Sequence, residues 1–226
     1  MPDFKQRSNQ LEMLDLEVPP MKQVKRNYGE MAAVNRLLGG YSPLISQLKK
    51  WVSEHPEKSE WTILDVGCGM GDVLRQIDRV FNSDRFQYIG VDTNELAIDL
   101  ARTQNRQERF TWLNEPYEEF ERSVDVVLSS LFAHHLTDEE LQAFIEWSDR
   151  CSKVGWIVSD LHRHPIGYYA IKGISRVLPT TRLFKNDAPL SVLRAFTRED
   201  FKTYTSDGAE LRWHWAFRWT LTKSKI

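Results

Sequence analysis

A chain of 226 residues, 41% hydrophobic and 12% aromatic, is long and apolar enough to bury the core of one α/β domain with an appendage, which excludes a disordered chain. Its 30 basic and 32 acidic side chains leave a formal charge of −2, so no global basic surface for nucleic acid is expected, and no apolar run approaches the roughly 20 residues that span a bilayer. Two cysteines, Cys68 and Cys151, stand at no metal-ligand spacing and point to a reducing compartment; the expectation is a cytoplasmic protein with neither nucleic acid nor membrane among its partners.

Residues 1 to about 19 are polar with scattered apolar positions (Leu11, Met13, Leu14, Leu16) and run into Pro19-Pro20. From Met21 the apolar residues Val24, Tyr28, Met31, Val34 and Leu38 recur at helical spacing, and Gly39-Gly40 closes that helix. Ser42-Pro43 supplies an N-cap and a first-turn proline for a second helix carrying Leu44, Ile45, Leu48, Trp51 and Val52. Residues 1–56 thus read as an N-terminal helical cap before a domain at 57–226. The hairpin either covers a sheet edge or acts as a lid, with Tyr28, Arg36 or Tyr41 reaching a substrate.

Thr62-Ile63-Leu64-Asp65-Val66 is a short apolar run of the kind that forms a buried parallel strand. It breaks into Gly67-Cys68-Gly69-Met70-Gly71 and continues as a helix with Val73, Leu74, Ile77, Val80 and Phe81 on one face. Strand, glycine turn and helix bring backbone N–H groups close to a ligand. A G-x-G-x-x-G dinucleotide fingerprint would place its third glycine at position 72, where this chain has Asp72. An acid there shares the helix terminus badly with a pyrophosphate, and the pattern suits an ammonium and a sulfonium better.

A second strand, Phe86 to Val91, ends at Asp92, whose carboxylate is placed either to accept from both hydroxyls of a ribose or to cap the next helix. A third strand, Arg109 to Leu113, runs into Asn114-Glu115-Pro116. A fourth, Val124 to Ser129, reaches Ser130 and then His134-His135, and Thr137-Asp138-Glu139-Glu140 forms a capping box for a helix with Leu141, Phe144 and Ile145 inward. A fifth, Val154 to Asp160, leads into Leu161-His162-Arg163. Gly67, Asp92, Asn114, Ser129 and Asp160 therefore mark one carboxyl edge, where open α/β sheets bind ligands. Residues from about 161 to 205 read as an insertion that sets acceptor specificity, with a helix from Ile166 to Leu178 interrupted at Gly173, and a short helix capped by Thr197. Ala209 to Lys223 alternates Leu211, Trp213, Trp215, Phe217 and Trp219 with polar residues, which predicts two antiparallel strands. Their aromatics are assigned to core packing in preference to a platform for single-stranded nucleic acid.

With its acid-x-Gly-x-Gly-x-Gly turn after a strand, and with the edge residues following in order, the chain resembles the class I S-adenosylmethionine (SAM)-dependent methyltransferases. The resemblance covers residues 60 to 160 motif by motif. It implies a Rossmann-like fold with a mostly parallel seven-stranded sheet, an antiparallel C-terminal strand and the N-terminal helical hairpin. It implies SAM as cofactor, held by Asp65, Gly67, Cys68, Gly69, Gly71, Asp92, Thr93, Asn114, Glu115 and Ser129, with Asn114 meeting the adenine amino group. Glu12-Met13-Leu14-Asp15, Asn35-Arg36-Leu37-Leu38-Gly39-Gly40, Ser159-Asp160-Leu161-His162-Arg163 and Asp187-x-x-x-Ser191-x-x-Arg194-Ala195-Phe196 look like a bacterial subgroup labelled as similar to ubiquinone or menaquinone methyltransferases. That likeness implies a small phenolic or polyketide-type hydroxyl acceptor.

Methyl transfer is an in-line displacement that needs an acceptor held at near-attack distance and, for a phenol, removal of a proton. His134 is the expected general base, with His162 and His135 as substitutes and Asp160 orienting an imidazole or acting itself. Arg163 and Arg194 bind an acceptor carboxylate or form structural ion pairs, and His135, Tyr28, Arg36 and Tyr41 complete the acceptor side. Catechol-type relatives carry an acid at the fourth strand end and an Asp-Asn pair at the fifth. This chain has Ser129-Ser130 and Asp160-Leu161, so no catalytic metal is expected. A homodimer is compatible with the sequence. The rival readings are a methyltransferase for RNA or protein, a SAM-binding protein without transferase activity, and an NAD-dependent oxidoreductase, the last disfavoured by Asp72.

Overall fold

The computed structural model describes residues 2–16, 19–204 and 208–225; the outer bounds 1 and 226, and the insertion bound at 205, lie outside the described residues. Its strands are β1 (Trp61–Val66), β2 (Phe86–Val91), β3 (Phe110–Leu113), β4 (Val124–Ser130), β5 (Ser152–Leu161), β6 (Ala209–His214) and β7 (Arg218–Ser224). They form one sheet in the order β3-β2-β1-β4-β5-β7-β6, with β7 antiparallel to both β5 and β6 and the rest running one way. This is the expected Rossmann-like architecture, and the strand order reverses between β1 and β4, where such sheets leave a crevice at their carboxyl ends.

Neighbouring residues on a strand face opposite sides of the sheet, so each strand feeds two cores. Leu64, Val66, Ile89 and Val91 pack on one face with Phe144, Trp156 and Phe201. Ile63, Tyr88, Val126 and Leu128 pack on the other with Leu48, Trp51, Leu74 and Ile98. At the register shift by Val124 and Val126, β5 carries the extra residue between Ser152 and Gly155, and Val154 packs in the second core while Trp156 packs in the first.

The helices are α1 (Met13–Leu16), α2 (Met21–Leu37), α3 (Ser42–Glu54), α4 (Asp72–Phe81), α5 (Glu95–Gln104), α6 (Asp138–Cys151), α7 (Pro165–Val177), α8 (Arg182–Arg194) and α9 (Arg198–Tyr204). The hairpin α2–α3 turns at Gly39, whose φ of 70° is the left-handed conformation a helix-ending glycine supplies. The capping box of α6 is present at both ends, with Thr137 Oγ1 accepting from Glu140 N–H and Glu140 accepting from Thr137 N–H.

Four local expectations are corrected. Tyr41, not Ser42, is the N-cap of α3, and no side chain caps it. Val80 is exposed, so the buried face of α4 is Val73, Leu74 and Ile77. Gly173 does not interrupt α7, because the helix packs along α8 and the glycine itself faces open space. Trp213 and Trp215 are exposed rather than core residues, because β6 is the edge strand; Trp219 and Leu221, on the internal strand β7, are the buried ones.

The N-terminal segment is a strap rather than a tail. Ser8 N–H donates to Leu193 O at 3.0 Å, and Met13 N–H donates to Asp187 Oδ1 at 2.8 Å. Arg7 donates to Arg194 O at 2.9 Å and to Leu136 O at 2.7 Å. These bonds tie residues 7–13 to α8 and to the turn after β4.

Candidate active site

A cavity of about 900 Å³ opens at the carboxyl edge of the sheet, roofed by α2, α7, α8 and the strap. Of the residues singled out in the sequence, Tyr28, Gly67, Cys68, Gly69, Asp92, Thr93, Glu115, His134, His135 and His162 line it. Arg36, Tyr41, Asp65, Gly71, Asn114, Ser129, Asp160, Arg163 and Arg194 do not.

One end of the cavity is the glycine turn. Gly67, Gly69 and Gly71 have φ of 69°, 52° and 75°, which an L side chain adopts only at a cost. Gly69 N–H donates to Asp92 Oδ2 at 2.8 Å, and Asn94 N–H donates to Asp92 Oδ1 at 2.8 Å. Asp92 is thereby anchored with lone pairs left on both oxygens, while Asn94, not Asp92, caps α5. A Cβ on Gly69 would come within 3.0 Å of the Tyr28 ring, so Tyr28 lies directly over the turn. Gly71 serves packing instead: its Cβ would stand 2.2 Å from Trp112.

Beneath this turn is a set of buried ionisable groups that are only partly partnered. Asp65 is buried and neither carboxylate oxygen has a hydrogen-bond partner. Burial, with Asp72 and Asp92 nearby, pushes its pKa well above the usual carboxylate range. Asp72 begins α4 and accepts from Tyr41 Oη at 2.5 Å. Arg218 is buried at the start of β7 and donates from Nη2 to Asn35 Oδ1 at 2.5 Å, yet its Nε and Nη1 have no partner. Burial lowers its pKa to about 10. Asn35 and Arg218 both line the cavity. The sequence reading missed Arg218, and no local pattern marks it.

The other end is polar in a different way. His134 is buried in a 3-10 turn (Ala133–His135) after β4. Its Nδ1 stands 2.8 Å from Asp160 Oδ1, and its Nε2 stands 3.6 Å from Glu12 Oε1 on the strap. Asp160 also accepts from His134 N–H at 3.0 Å. Burial alone would lower the pKa of His134, but the two carboxylates outweigh it and raise the pKa to about 9. His162 is shifted the opposite way, to about 4, by burial beside His164 and Arg163. The two candidate bases are thus shifted in opposite directions, His134 up by its carboxylate partners and His162 down by burial and its basic neighbours. Glu12, which no sequence motif flagged, lines the cavity and accepts from Ser191 Oγ at 2.6 Å.

The remaining expectations are corrected by position. Arg194 is buried and donates to His134 O, His135 O and Gln10 O at 3.1, 3.0 and 2.9 Å, so it staples the histidine turn to the strap. Arg163 donates to Phe4 O and Ala195 O and pairs with Asp200 at 2.9 Å. Neither guanidinium faces an acceptor. Arg36 is exposed on α2. Tyr41 is buried, its hydroxyl spent on Asp72. Asn114 is exposed and donates to Asp92 O at 3.0 Å, which turns its amide away from the cavity. Ser129 is buried in β4 with its hydroxyl unpartnered, and Ser130 takes its place at the cavity wall.

Residues 63–155 match the family model described as a methyltransferase domain. That segment is a methyltransferase domain. A search of curated protein sequences finds no match. Among solved structures, the fold is similar to the plantazolicin methyltransferase BpumL in complex with SAH, at TM-score 0.61 and 16% identity over 87% of this chain and 75% of that one. It is similar to a SAM-dependent methyltransferase from Aquifex aeolicus, at TM-score 0.60 and 14% identity over 92% of this chain and 100% of that one. It is also similar to the magnesium protoporphyrin IX methyltransferase of Synechocystis PCC 6803 with bound SAH, at TM-score 0.54 and 13% identity over 97% and 90%. No helix of the methyltransferase chain is long and apolar enough to cross a membrane, among the described residues.

Proposed function

We propose that this methyltransferase uses S-adenosylmethionine and methylates a hydroxyl on a small aromatic, polyketide-type acceptor. The observation that carries the donor reading is the pair of unpartnered buried charges beside the glycine turn. Asp65 has two free carboxylate oxygens, and Arg218 has two free guanidinium nitrogens. Beside them, Asp72 accepts from Tyr41 Oη and Asn35 Oδ1 accepts from Arg218 Nη2. Buried charges without full partners are costly, and an aminoacyl zwitterion relieves them: its ammonium meets Asp72 at the cavity wall, with Asp65 behind, and its carboxylate meets Arg218. Asp92 keeps lone pairs for the two hydroxyls of a ribose, while the Phe132 and Tyr28 side chains pack close over Gly67 and Gly69.

When bound, S-adenosylmethionine supplies an electrophilic methyl on a sulfonium whose departure as a neutral thioether needs no acid. The chain's own residues position and enclose. Tyr28 covers the glycine turn. The strap and α7–α8 line the cavity with Leu14, Ile171, Ile174, Phe184 and Val192. That wall is apolar, which favours an aromatic acceptor, and the subgroup likeness of the sequence points the same way. Glu12, His134 and His135 form the polar end, where an acceptor hydroxyl is fixed.

The test is transfer of label from methyl-labelled SAM to a panel of phenols, peptides and tetrapyrrole acids. Labelled phenols are expected. Transfer to peptides or tetrapyrroles with none to phenols overturns the acceptor class and leaves the donor reading intact.

A further inference from the structure

The polar end of the cavity is more ordered than the fixing of one hydroxyl requires. His134 and His135 are consecutive, with ring centroids 4.4 Å apart. Each presents Nδ1 to a carboxylate: His134 to Asp160 at 2.8 Å and His135 to Asp15 at 3.6 Å. Each presents Nε2 to Glu12, at 3.6 Å from Oε1 and 4.0 Å from Oε2 respectively. One ligating atom from each of Glu12, His134 and His135 falls within 4.8 Å of the others. A carboxylate behind the second ring nitrogen is what fixes the tautomer and direction of a metal-ligating histidine. His134 has one at hydrogen-bond distance, and His135 has one 3.6 Å away, within reach of a small side-chain shift.

We propose that Glu12, His134 and His135 form a binding site for a divalent transition metal, Zn²⁺ by ligand type, with its open coordination directed into the cavity. Two imidazoles and one carboxylate suit zinc and its first-row neighbours rather than Mg²⁺ or Ca²⁺, which take oxygen ligands. Ligands about 2.0–2.2 Å from one ion stand about 3.4 Å apart at a tetrahedral angle, so the 3.6 Å spacing of His134 and Glu12 needs to close by only a few tenths of an ångström, while the widest of the three, within 4.8 Å, closes by up to about 1.4 Å through rotation of the partly exposed His135 ring. The surroundings hold that geometry: Ser191 Oγ anchors Glu12 at 2.6 Å, and Arg194 binds the carbonyls of both histidines. Arg194 is the cation nearest Asp15, at 3.7 Å, and its other nitrogens are spent on backbone. Three ligands leave at least one position for an outside oxygen, as in catalytic zinc sites. The expectation of no metal was drawn from the ends of β4 and β5. These ligands come from the strap and from the turn after β4.

Binding of the ion stands apart from the methyl-donor reading; its use rests on that reading. An acceptor hydroxyl on the open position loses its proton to solvent more readily, because the cation stabilises the oxyanion.

Co²⁺ titrated into the metal-stripped full chain at pH 7 reports such a site by its visible d–d absorption. One equivalent per chain is expected, with affinity reduced by at least about tenfold in Glu12→Gln and His135→Gln, and by about 10–100-fold in Asp160→Asn. His135 is partly exposed, so His135→Gln carries the test if a variant at a buried position fails to fold. No d–d band in the wild type, or unchanged affinity in His135→Gln, overturns the proposal and leaves the cluster as an ion pair. SAH titrated into the same metal-stripped protein separates the two readings. SAH binding without a cobalt band removes the metal site alone, and a cobalt band without SAH binding removes the donor site alone.

Discussion

The two ends of the cavity are built in opposite ways. The floor of the donor end comes from one contiguous βαβ unit, β1, the turn at Gly67–Gly71, α4, and β2 with Asp92 after it, to which Tyr28 and Asn35 on α2 and Arg218 on β7 are added from elsewhere. The acceptor end is assembled from Glu12 on the strap, His134 and His135 after β4, Asp160 on β5, and Ser191 and Arg194 on α8. Backbone geometry dictates the first, so a short motif specifies it. Long-range packing dictates the second, so its chemistry follows from which distant side chains are buried together.

This contrast can be broken or sharpened by substitution. The largest effect is expected at Gly71→Val, which forces a β-branched residue into φ 75° and against Trp112. Strain and overpacking together should cost about 2–5 kcal/mol, read as a lowered denaturation midpoint. Unchanged stability would mean the turn is not held as described. Asp92→Ala should weaken SAH by about 1.5–3 kcal/mol through lost charge-assisted bonds, read by calorimetry. The cobalt band of the acceptor end should be unaffected; a loss at both ends would show that they are not separable. Arg218→Gln should weaken SAH by about 1.5 kcal/mol, roughly tenfold, yet leave 5′-methylthioadenosine, which has no aminoacyl carboxylate, unchanged. Equal losses for both ligands would place Arg218 in a structural role. The smallest effect belongs to Thr137→Ala, which removes the α6 cap for about 1 kcal/mol of stability and should not alter SAH affinity.

The sheet was legible in the sequence because each parallel strand is an apolar run that stops at a turn or an acid. The α6 capping box was equally legible, being local. Glu12 was not, because the strap shows no periodicity and is ordered by Asp187, Leu193 and Arg194, far along the chain. Arg218 was hidden by its own alternation. It reads as the outward polar residue of an aromatic strand, but Arg218, Trp219, Thr220 and Leu221 are all buried, so both faces of β7 are covered there. Pro189 lies inside α8, where a proline removes a hydrogen bond and ordinarily marks a break, and that obscured the helix. Arg163 and Arg194 carry the same charge as Arg218 but are exhausted by backbone carbonyls, and only the fold tells them apart. The histidines teach the same lesson: His134 and His162 both end strands at the same edge, yet their surroundings drive their pKa values to about 9 and about 4.

Calorimetric titration of the full chain with S-adenosylhomocysteine, alongside NADH, tests the central claim most directly. One molecule of SAH should bind per chain, with affinity falling about tenfold or more in Asp92→Ala and no heat from NADH. Binding of NADH, with neither SAM nor SAH taken up, would contradict the assignment of the glycine turn and everything built on it.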